Sequence, residues 1–373
     1  MLLKHTKGLK YYIGLINNFY LLKTPHRIGV LEGVRGLAVL LVFNVHALSI
    51  LFENTPTSTT FTSNRIILYL LHTLQSGHCG VDIFFVLSGY FIWKIIFQEK
   101  RDLLLFFKSR LLRLMPIYTI TTFIVSIPQF SMQLFIANIL FLPQFIPRFT
   151  FYNFVAWSLA WEWLFYTLVM LLAIISNRNA TYTLLGLILL YITNIHVVYF
   201  QHIGWLGSDS FRLLGLILGC LIAQYPLFFS QTSFKKTGYF SLPILLLCMF
   251  SYWKYNSIIY SSFMITSMYF LVVDGAAMLL INMLVHSKSA YSKIFQQPPL
   301  RILGQISYSL YLVHACISIP LISYILKIQI HNTPTLLYWY LISLLVTIIT
   351  SSIFFYCIER PLLVQNNKKN HYR

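Results

Sequence analysis

The sequence predicts an all-α integral membrane protein, from its composition, the length of its apolar runs and the distribution of its charge. Of the 373 residues, 58% are hydrophobic and 10% are charged, and the mean hydropathy is +0.72. A soluble globular chain carries roughly 25% charged residues. The apolar runs are about 20 residues long, as a helix needs in order to cross a hydrocarbon core of roughly 30 Å. Because these runs do not alternate polar with apolar residues, they predict helices rather than barrel strands.

We expect about ten transmembrane helices around a polar chamber at mid-bilayer. The expected spans are 30–51, 66–93, 111–128, 151–176, 181–200, 211–229, 239–254, 259–285, 303–327 and 335–358. Segment 131–147 is too short to span comfortably and is flanked by proline, so we interpret it as re-entrant or interfacial. Residues 30–361 are expected to form one transmembrane domain, between an interfacial segment at 1–29 and a cytoplasmic basic tail at 362–373.

The formal net charge of +18 indicates orientation rather than a nucleic-acid partner. Five of the 27 lysines and arginines fall on one side of the expected spans, which leaves 22 on the other. The five are Arg65, Arg148, Arg212, Lys254 and Lys327. Since cytoplasmic loops carry the excess of cations, both termini are expected in the cytoplasm.

Ionisable residues also occur where charge is expensive. Asp82, Glu162 and Asp274 fall inside expected spans, and His46 and His314 lie at comparable depth. Each such group costs a few kcal/mol unless it faces the bundle interior and is paired. Any one of them alone could be a structural tether between helices. Five at one depth favour a single hydrated chamber.

The first span carries the most informative pattern. Arg35 and His46 are 11 residues apart, so on a helix they return to within about 20° of the same face and lie roughly 16 Å apart. Glu32 shares that face. Arginine is suited to binding phosphate, and a neutral histidine is suited to taking a proton from a hydroxyl. The structural alternative is that Arg35 anchors the helix at the interface and His46 packs as a hydrogen-bonding core residue.

Further cations stand at the cytoplasmic ends of other spans. Arg110 and Arg113 share one helix face, Arg301 opens the ninth span, and Glu359 with Arg360 closes the tenth. A ring of arginines at one mouth of a polar chamber would hold a phosphorylated ligand arriving from the cytoplasm. Simple anchoring explains these residues nearly as well.

Several segments together resemble the membrane-bound acyltransferase-3 family, the O-acyltransferases that modify bacterial surface glycans. The resemblance covers about 29–361, nearly the whole chain. The segments that carry it are Arg35 with His46, Gly80–Ile92 (GVDIFFVLSGYFI), Phe106–Pro116 (FKSRLLRLMP within it), Trp157–Tyr166 (WSLAWEWLFY), Arg212 with Gly219 and Ala223, Leu303–His314 (LGQISYSLYLVH), and Glu359–Pro361. Two departures are Glu32, where the family has Asp, and the Arg212 segment, which lacks the usual Phe.

The resemblance implies an acyl donor, usually acetyl-CoA, and a glycan hydroxyl as acceptor, in the bacterial inner membrane. Arg35, Arg110 and Arg113 would hold the phosphates of the donor. His46 would act as general base or carry the acyl group itself, and the sequence leaves both routes open. Asp82 or Glu162 would orient His46. The remaining candidates bind the acceptor, polarise the thioester carbonyl or support the site: Ser307, Tyr311, His314, Arg212, Glu32 and Glu359.

Neither a metal nor a nucleic acid is expected, and the oligomeric state is left open. The five cysteines are scattered in apolar segments and are expected to be free thiols. Because the sequence stops soon after the tenth span, no extra soluble domain is expected. O-antigen of lipopolysaccharide fits best as the acceptor, with peptidoglycan, periplasmic glucans or a lipid-linked sugar as alternatives. Two other functions compete, a secondary transporter or flippase of a glycan or acyl intermediate and a non-catalytic acyl-CoA-binding partner.

Overall fold

The computed structural model describes residues 29–53, 65–201, 208–321 and 332–363, and within these ranges the regular elements are helices. The expected interfacial segment 1–29 and tail 362–373 fall almost wholly outside the described residues. The α-helices are α1 (Gly29–Glu53), α2 (Arg65–Gln75), α3 (Cys79–Trp93), α4 (Leu103–Ser126), α5 (Met132–Ile139), α6 (Trp157–Ile175), α7 (Ala180–Gln201), α8 (Leu213–Gln224), α9 (Pro226–Phe229), α10 (Thr232–Thr237), α11 (Ser241–Ile259), α12 (Phe263–His286), α13 (Ala290–Phe295), α14 (Pro298–Gln305), α15 (Ser307–Val313) and α16 (Thr333–Phe354).

Eight helical stretches in the described part of the chain are long and apolar enough to cross a membrane. They are Gly29–Glu53, Cys79–Gln98, Leu103–Gln129, Phe154–Ile175, Ala180–Val197, Thr232–Ile259, Phe263–His286 and Thr333–Leu363. They correspond to eight of the ten expected spans. The predicted fold class, an all-α polytopic membrane protein, is confirmed.

The other two expected spans consist of shorter helices. In 211–229, α8 has 12 residues and ends at Gln224. The next residue, Tyr225, leaves the helical region at φ −119° and ψ 56° because Pro226 follows it. In 303–327, α14 ends at Gln305, α15 begins at Ser307 and a π-helical turn starts at His314. Residues 322–331 lie outside the described ranges.

The expected span 66–93 is wrong at its start. The chain turns between α2 and α3 at Ser76, Gly77 and His78, and the spanning helix begins at Cys79. Glycine is required in this turn because a Cβ on Gly77 would lie 2.6 Å from the carbonyl oxygen of Leu41. Asp82 therefore occupies the first turn of α3, not the middle of a span.

Segment 131–147 does not form a spanning helix. Its helix, α5, has eight residues, which makes it about 12 Å long, and a 3₁₀ turn at Leu142–Gln144 follows. Asn138 fastens the segment, because its amide nitrogen donates to the Thr150 carbonyl and its amide oxygen accepts from the Tyr152 backbone N–H. Its position relative to the lipid stays a prediction.

Glycines allow the central helices to approach closely, as small residues do in membrane bundles. α14 packs on α1, where a Cβ on Gly304 would lie 1.8 Å from the Glu32 carbonyl oxygen. α8 packs on α3, where a Cβ on Gly219 would lie 2.1 Å from the Val86 carbonyl oxygen. These contacts bring polar residues of α1, α3, α6, α8 and α15 to the centre of the bundle.

Candidate functional site

Two polar cavities of similar volume lie in series along the central helices. The arginine cavity, about 230 Å³, is lined by Arg35, Arg110 and Arg113 among others. The histidine cavity, about 240 Å³, is lined by His46 together with Arg212. The expected polar interior is therefore present as two compartments rather than one chamber.

Helix α1 contributes to both cavities and fixes their order. Glu32 and Arg35, near its start, line the arginine cavity, and Val42, Val45 and His46, further along, line the histidine cavity. The predicted stripe of α1 is thus divided between two compartments. Arg35 and His46 face different cavities, about 16 Å apart along the axis.

The three arginines of the arginine cavity differ in their partners. Arg35 Nε donates to Ser307 Oγ at 3.3 Å. Arg113 Nε lies 4.0 Å from Glu359 Oε1. The guanidinium of Arg110 lies over the rings of Phe106 and Tyr166, 5.3 and 5.8 Å from their centroids.

Arg110 is thus held by aromatic rings, and its Nε, although buried, makes no hydrogen bond. Among the described residues, no acidic side chain lies in ion-pair range of Arg110, whereas Arg113 has Glu359 near it. The buried Nε of Arg110 is therefore left for a ligand. The expected cluster of arginines is present, since all three line the arginine cavity. Its role in binding phosphate stays a prediction.

Glu32 and Glu359 support this cluster from opposite sides. Glu32 Oε2 pairs with Arg301 Nη2 at 3.3 Å, and its other oxygen accepts from Gln305 at 3.4 Å. Glu359, buried in the π-helical turn Phe355–Glu359 that follows α16, accepts from Ser309 at 2.8 Å and also lies near Arg113. Glu32 thus connects α1 to α14, and Glu359 lies between α15 and α4, the helix that carries Arg113.

Glu162 lies in the arginine cavity and does not contact His46. Its Oε1 accepts from Ser88 Oγ at 2.5 Å and from the hydroxyl of Tyr166, one turn later on the same helix. The carboxylate is held by these two hydroxyls in a different cavity from His46. Its place beside Arg110 balances part of the cavity's positive charge. A role for Glu162 in orienting the imidazole stays a prediction.

His46 packs against two rings at the edge of the histidine cavity. Its ring centroid lies 5.2 Å from that of Phe154, edge-on, and 5.2 Å from that of His314. His314 is fully buried behind it. Because Nδ1–H of His314 donates to the Leu310 carbonyl at 2.9 Å, its Nε2 is left as an acceptor, and Nε2 has no partner. The π-helical turn that starts at His314 gives this ring its position.

A buried ion pair lies beside the histidine cavity, and its arginine, Arg212, lines the cavity. Arg212 Nη1 lies 3.0 Å from Asp82 Oδ2 and also donates to the His78 carbonyl at 3.2 Å. The guanidinium stacks over Phe270, 4.5 Å from the ring centroid. Asp82 is thus paired with Arg212 through Oδ2, while its Oδ1 makes no hydrogen bond. A role for Asp82 in orienting His46 stays a prediction.

Asp209 adds a second carboxylate to this cavity. It lies in the 3₁₀ turn Ser208–Arg212, three residues before Arg212. Burial raises the pKa of the Asp209 carboxyl, and the nearby Arg212 opposes that rise.

Asp274 belongs to neither cavity. It is fully buried on α12 and packs against α8, where a Cβ on Gly215 would lie 2.7 Å from its Oδ1. The expectation that five ionisable groups converge on one chamber therefore fails for Asp274. A tight helix contact, which spacing along the chain does not reveal, removes it from the cavities.

Tyr311 and Val81 line both cavities and form the divider between them. The Tyr311 hydroxyl donates to the Val155 carbonyl at 2.9 Å and is hydrogen-bonded to Ser158 Oγ at 2.7 Å. These two contacts hold the ring of Tyr311 across the path from Arg35 to His46. Of the expected face Ser307, Tyr311 and His314, only Ser307 and Tyr311 line a cavity.

Sequence reasoning did not select several residues that line the histidine cavity. They are His78, Trp157, Asp209, Tyr252 and Tyr260. Aromatic residues make up 17% of the chain, so Tyr252 and Tyr260 carried no distinguishing signal. Asp209 did carry one, because it is one of only nine acidic residues and lies three positions from Arg212. Among the described residues, no three His, Cys, Asp or Glu side chains come together as a group able to hold a metal.

Fold and site together define a multi-pass helical membrane protein with a cationic cavity and a histidine-containing cavity in series. The family model described as an acyltransferase domain, that of the acyltransferase-3 family, matches residues 28–356. The chain therefore belongs to the acyltransferase-3 family, as its sequence motifs indicate.

Curated relatives come from Staphylococcus aureus. The chain is 30% identical over 346 residues to O-acetyltransferase OatA of strain NCTC 8325 / PS 47, with 80% of this chain and 55% of OatA covered. It is 28% identical over 360 residues to "Putative O-acetyltransferase SACOL0978" of strain COL, with 83% and 56% covered. The chain thus spans little more than half the length of these relatives. No solved structure matches it.

Proposed function

We propose that this protein is a transmembrane O-acyltransferase that moves an acetyl group from acetyl-CoA to a hydroxyl of a bacterial surface polysaccharide, such as O-antigen of lipopolysaccharide. It acts in the inner membrane with both termini in the cytoplasm. The observation that carries this proposal is the series of two cavities, with three arginines in one and His46 in the other, divided by Tyr311. Membership of the acyltransferase-3 family and the names of the relatives support it.

The arginine cavity is the donor site in this proposal. Arg35, Arg110 and Arg113 bind the phosphates of CoA through charge-assisted hydrogen bonds. Arg110 contributes most, because among the described residues no acidic side chain lies in ion-pair range of it, whereas Arg113 lies 4.0 Å from Glu359. The pantetheine arm then extends along α1 toward His46. Since Tyr311 lies across that path, the ring must turn aside as the acetyl end arrives.

His46 is the general base. Its neutral imidazole takes the proton of the acceptor hydroxyl while the hydroxyl oxygen attacks the thioester carbonyl. The C–O bond of the new ester forms, the C–S bond breaks, and CoA leaves as a thiolate that is then protonated. Since Asp82 is paired with Arg212 and Glu162 accepts from Ser88, His46 works in this proposal without a carboxylate partner.

Purified protein in lipid nanodiscs tests the proposal with acetyl-CoA labelled on the acetyl group and O-antigen polysaccharide as acceptor. We expect free CoA thiol to appear together with label on the glycan. A transporter or flippase would release no CoA thiol and leave the glycan unlabelled, and a binding partner would retain acetyl-CoA intact. Either result would exclude the acyltransferase.

The orientation is tested separately in cells. Reporter fusions after residues 235 and 290 are expected on the cytoplasmic side, and fusions after residues 205 and 331 on the outer side. A fusion after residue 235 that reports the outer side would invert the donor and acceptor sides of the proposal.

A further inference from the structure

We infer that the histidine cavity is the acceptor site and that it binds one uncharged sugar ring between the aromatic side chains of Trp157, Tyr252 and Tyr260, with Asp209 accepting hydrogen bonds from the sugar hydroxyls. This inference rests on the proposed function and names the residues that select the acceptor. It concerns side chains that the acyl-transfer chemistry itself does not require.

The aromatic lining suits the shape of a sugar. Trp157 begins α6, Tyr252 lies in α11 and Tyr260 is the C-cap of α11, and all three line the cavity. The two tyrosine hydroxyls lie 3.4 Å apart, and the ring of Tyr252 packs on His78 at 4.5 Å. The C–H face of a pyranose packs on such rings, while hydroxyls that both donate and accept meet its rim.

The charge of the lining argues against an anionic ligand. Arg212 is the cation that lines this cavity among the described residues, and Asp82 neutralises it at 3.0 Å. Asp209 then leaves the lining without excess positive charge. A phosphorylated ligand would meet a carboxylate with no free cation to balance it, whereas a carboxylate accepts readily from sugar hydroxyls. The arginine cavity has the opposite character, which keeps the phosphates of CoA on its own side of Tyr311.

The size of the histidine cavity suits one ring of a glycan. It measures about 240 Å³, and Tyr260 in its lining is 41% exposed. The rest of a glycan therefore has room to continue outside. Since His46 lines the same cavity, a hydroxyl of the enclosed ring lies on the side of Tyr311 where the base stands.

Direct binding tests the inference. Methyl glycosides of glucose, galactose and mannose, with glucose 6-phosphate for comparison, are titrated into the full chain in nanodiscs, and the intrinsic tryptophan emission is followed. We expect at least one methyl glycoside to change the emission, this change to be lost in Trp157→Phe, and glucose 6-phosphate to bind more weakly. Asp209→Asn and Tyr260→Phe should each raise the dissociation constant, Asp209→Asn by about tenfold or more because a hydrogen bond to a charged group is weakened.

Tyr269→Phe is the matched control. Its hydroxyl donates to the Cys248 carbonyl at 3.2 Å, and its ring lies 6.0 Å from that of Tyr252, but it does not line the cavity. Glycoside binding should be unchanged in this variant. If no methyl glycoside binds, if glucose 6-phosphate binds best, or if Asp209→Asn and Tyr260→Phe bind like the unchanged chain, the assignment is wrong.

Calorimetry with acetyl-CoA on the same samples separates this failure from failure of the proposed function. Intact acetyl-CoA binding with no glycoside binding removes only the acceptor assignment. If the unchanged chain binds neither acetyl-CoA nor a methyl glycoside, the proposed function is wrong as well.

Discussion

The two cavities differ in chemistry far more than in size. At about 230 and 240 Å³ they are nearly equal, and both are lined by α1, α3, α6 and Tyr311. In the arginine cavity three arginines line the wall together with Glu32 and Glu162, and among the described residues Arg110 has no acidic side chain in ion-pair range. In the histidine cavity the one lining arginine among the described residues is neutralised by Asp82. The charge that each cavity offers to a ligand thus depends on whether its arginines have acidic partners.

Pairing also explains why an arginine in each cavity has a different use. A buried ion pair with good geometry offers little to a ligand, because separating it leaves an uncompensated charge. A guanidinium that lies over aromatic rings and has no acidic partner keeps its donors for a ligand. We therefore expect Arg212 to be structural and Arg110 to be ligand-binding, and the variants below are designed to break that contrast.

The largest effect is expected for His46→Gln. Glutamine keeps hydrogen bonding but cannot take up a proton at neutral pH, so glycan acetylation should fall by about 10²–10⁴-fold. Acetyl-CoA binding, measured by calorimetry, should be retained because the donor phosphates lie in the other cavity. His286→Gln, at the end of α12 and away from both cavities, is the control. Near-normal turnover by His46→Gln would make the imidazole a packing group and move the search for the base to His314.

The second effect concerns the paired arginine. Asp82→Asn leaves the charge of Arg212 buried without its partner, which should lower the free energy of unfolding by about 3–5 kcal/mol. Thermal unfolding in detergent measures it. Adding Arg212→Gln should recover much of the loss, since both charges are then gone. Asp102→Asn, at an exposed helix N-cap where asparagine caps as well as aspartate, is the control. Wild-type stability of Asp82→Asn would show that Arg212 is not held by this pair.

Much of this arrangement follows from the sequence, and the reasons for the exceptions are local. Apolar runs of membrane length predict the spans, since lipid leaves the backbone little choice but helix. The break at Gly77 did have a signal in the sequence, because the mostly polar stretch 72–78 (HTLQSGH) interrupts the apolar run, but the expected span 66–93 passed over it. A close approach to the Leu41 carbonyl, not hydropathy, requires that glycine.

The candidate site shows the same limit. The spacing along α1 correctly placed Arg35 and His46 on a common stripe. Short motifs selected Arg110 and Arg113 as further candidates. Contacts between different helices could not be derived in this way. Asp82 and Glu162 were therefore predicted to orient His46, although in the structure Asp82 pairs with Arg212 and Glu162 accepts from Ser88. Tyr311 was selected for its place on α15. Its position as a divider depends on Val155 and Ser158, which lie about 155 residues away in sequence, at separations of 156 and 153.

A smaller effect is expected for the unpaired arginine. Arg110→Ala should weaken acetyl-CoA binding by about 1.5–3 kcal/mol, the value of a hydrogen bond to a charged group. Arg110→Lys should recover only part of it, because lysine keeps the charge but loses the planar fork. Calorimetry gives the dissociation constants, with exposed Arg178→Ala as the control. If Arg110→Ala binds acetyl-CoA like the unchanged chain, the contrast with Arg212 fails.

The smallest effect should come from the divider. Tyr311→Phe keeps the ring but removes the hydroxyl that binds Val155 and Ser158. A net hydrogen bond is worth about 0.5–1.5 kcal/mol, so the ring should turn aside roughly 2–10 times more often. Water from the histidine cavity should then reach the thioester, and acetyl-CoA hydrolysis without acceptor should rise by a similar factor. Tyr118→Phe, whose hydroxyl donates to the Asn138 carbonyl away from both cavities, is the control. A fall in hydrolysis together with a fall in transfer would instead give the hydroxyl a direct part in polarising the thioester carbonyl, and the two cavities would then be joined by a catalytic group rather than separated by a movable one.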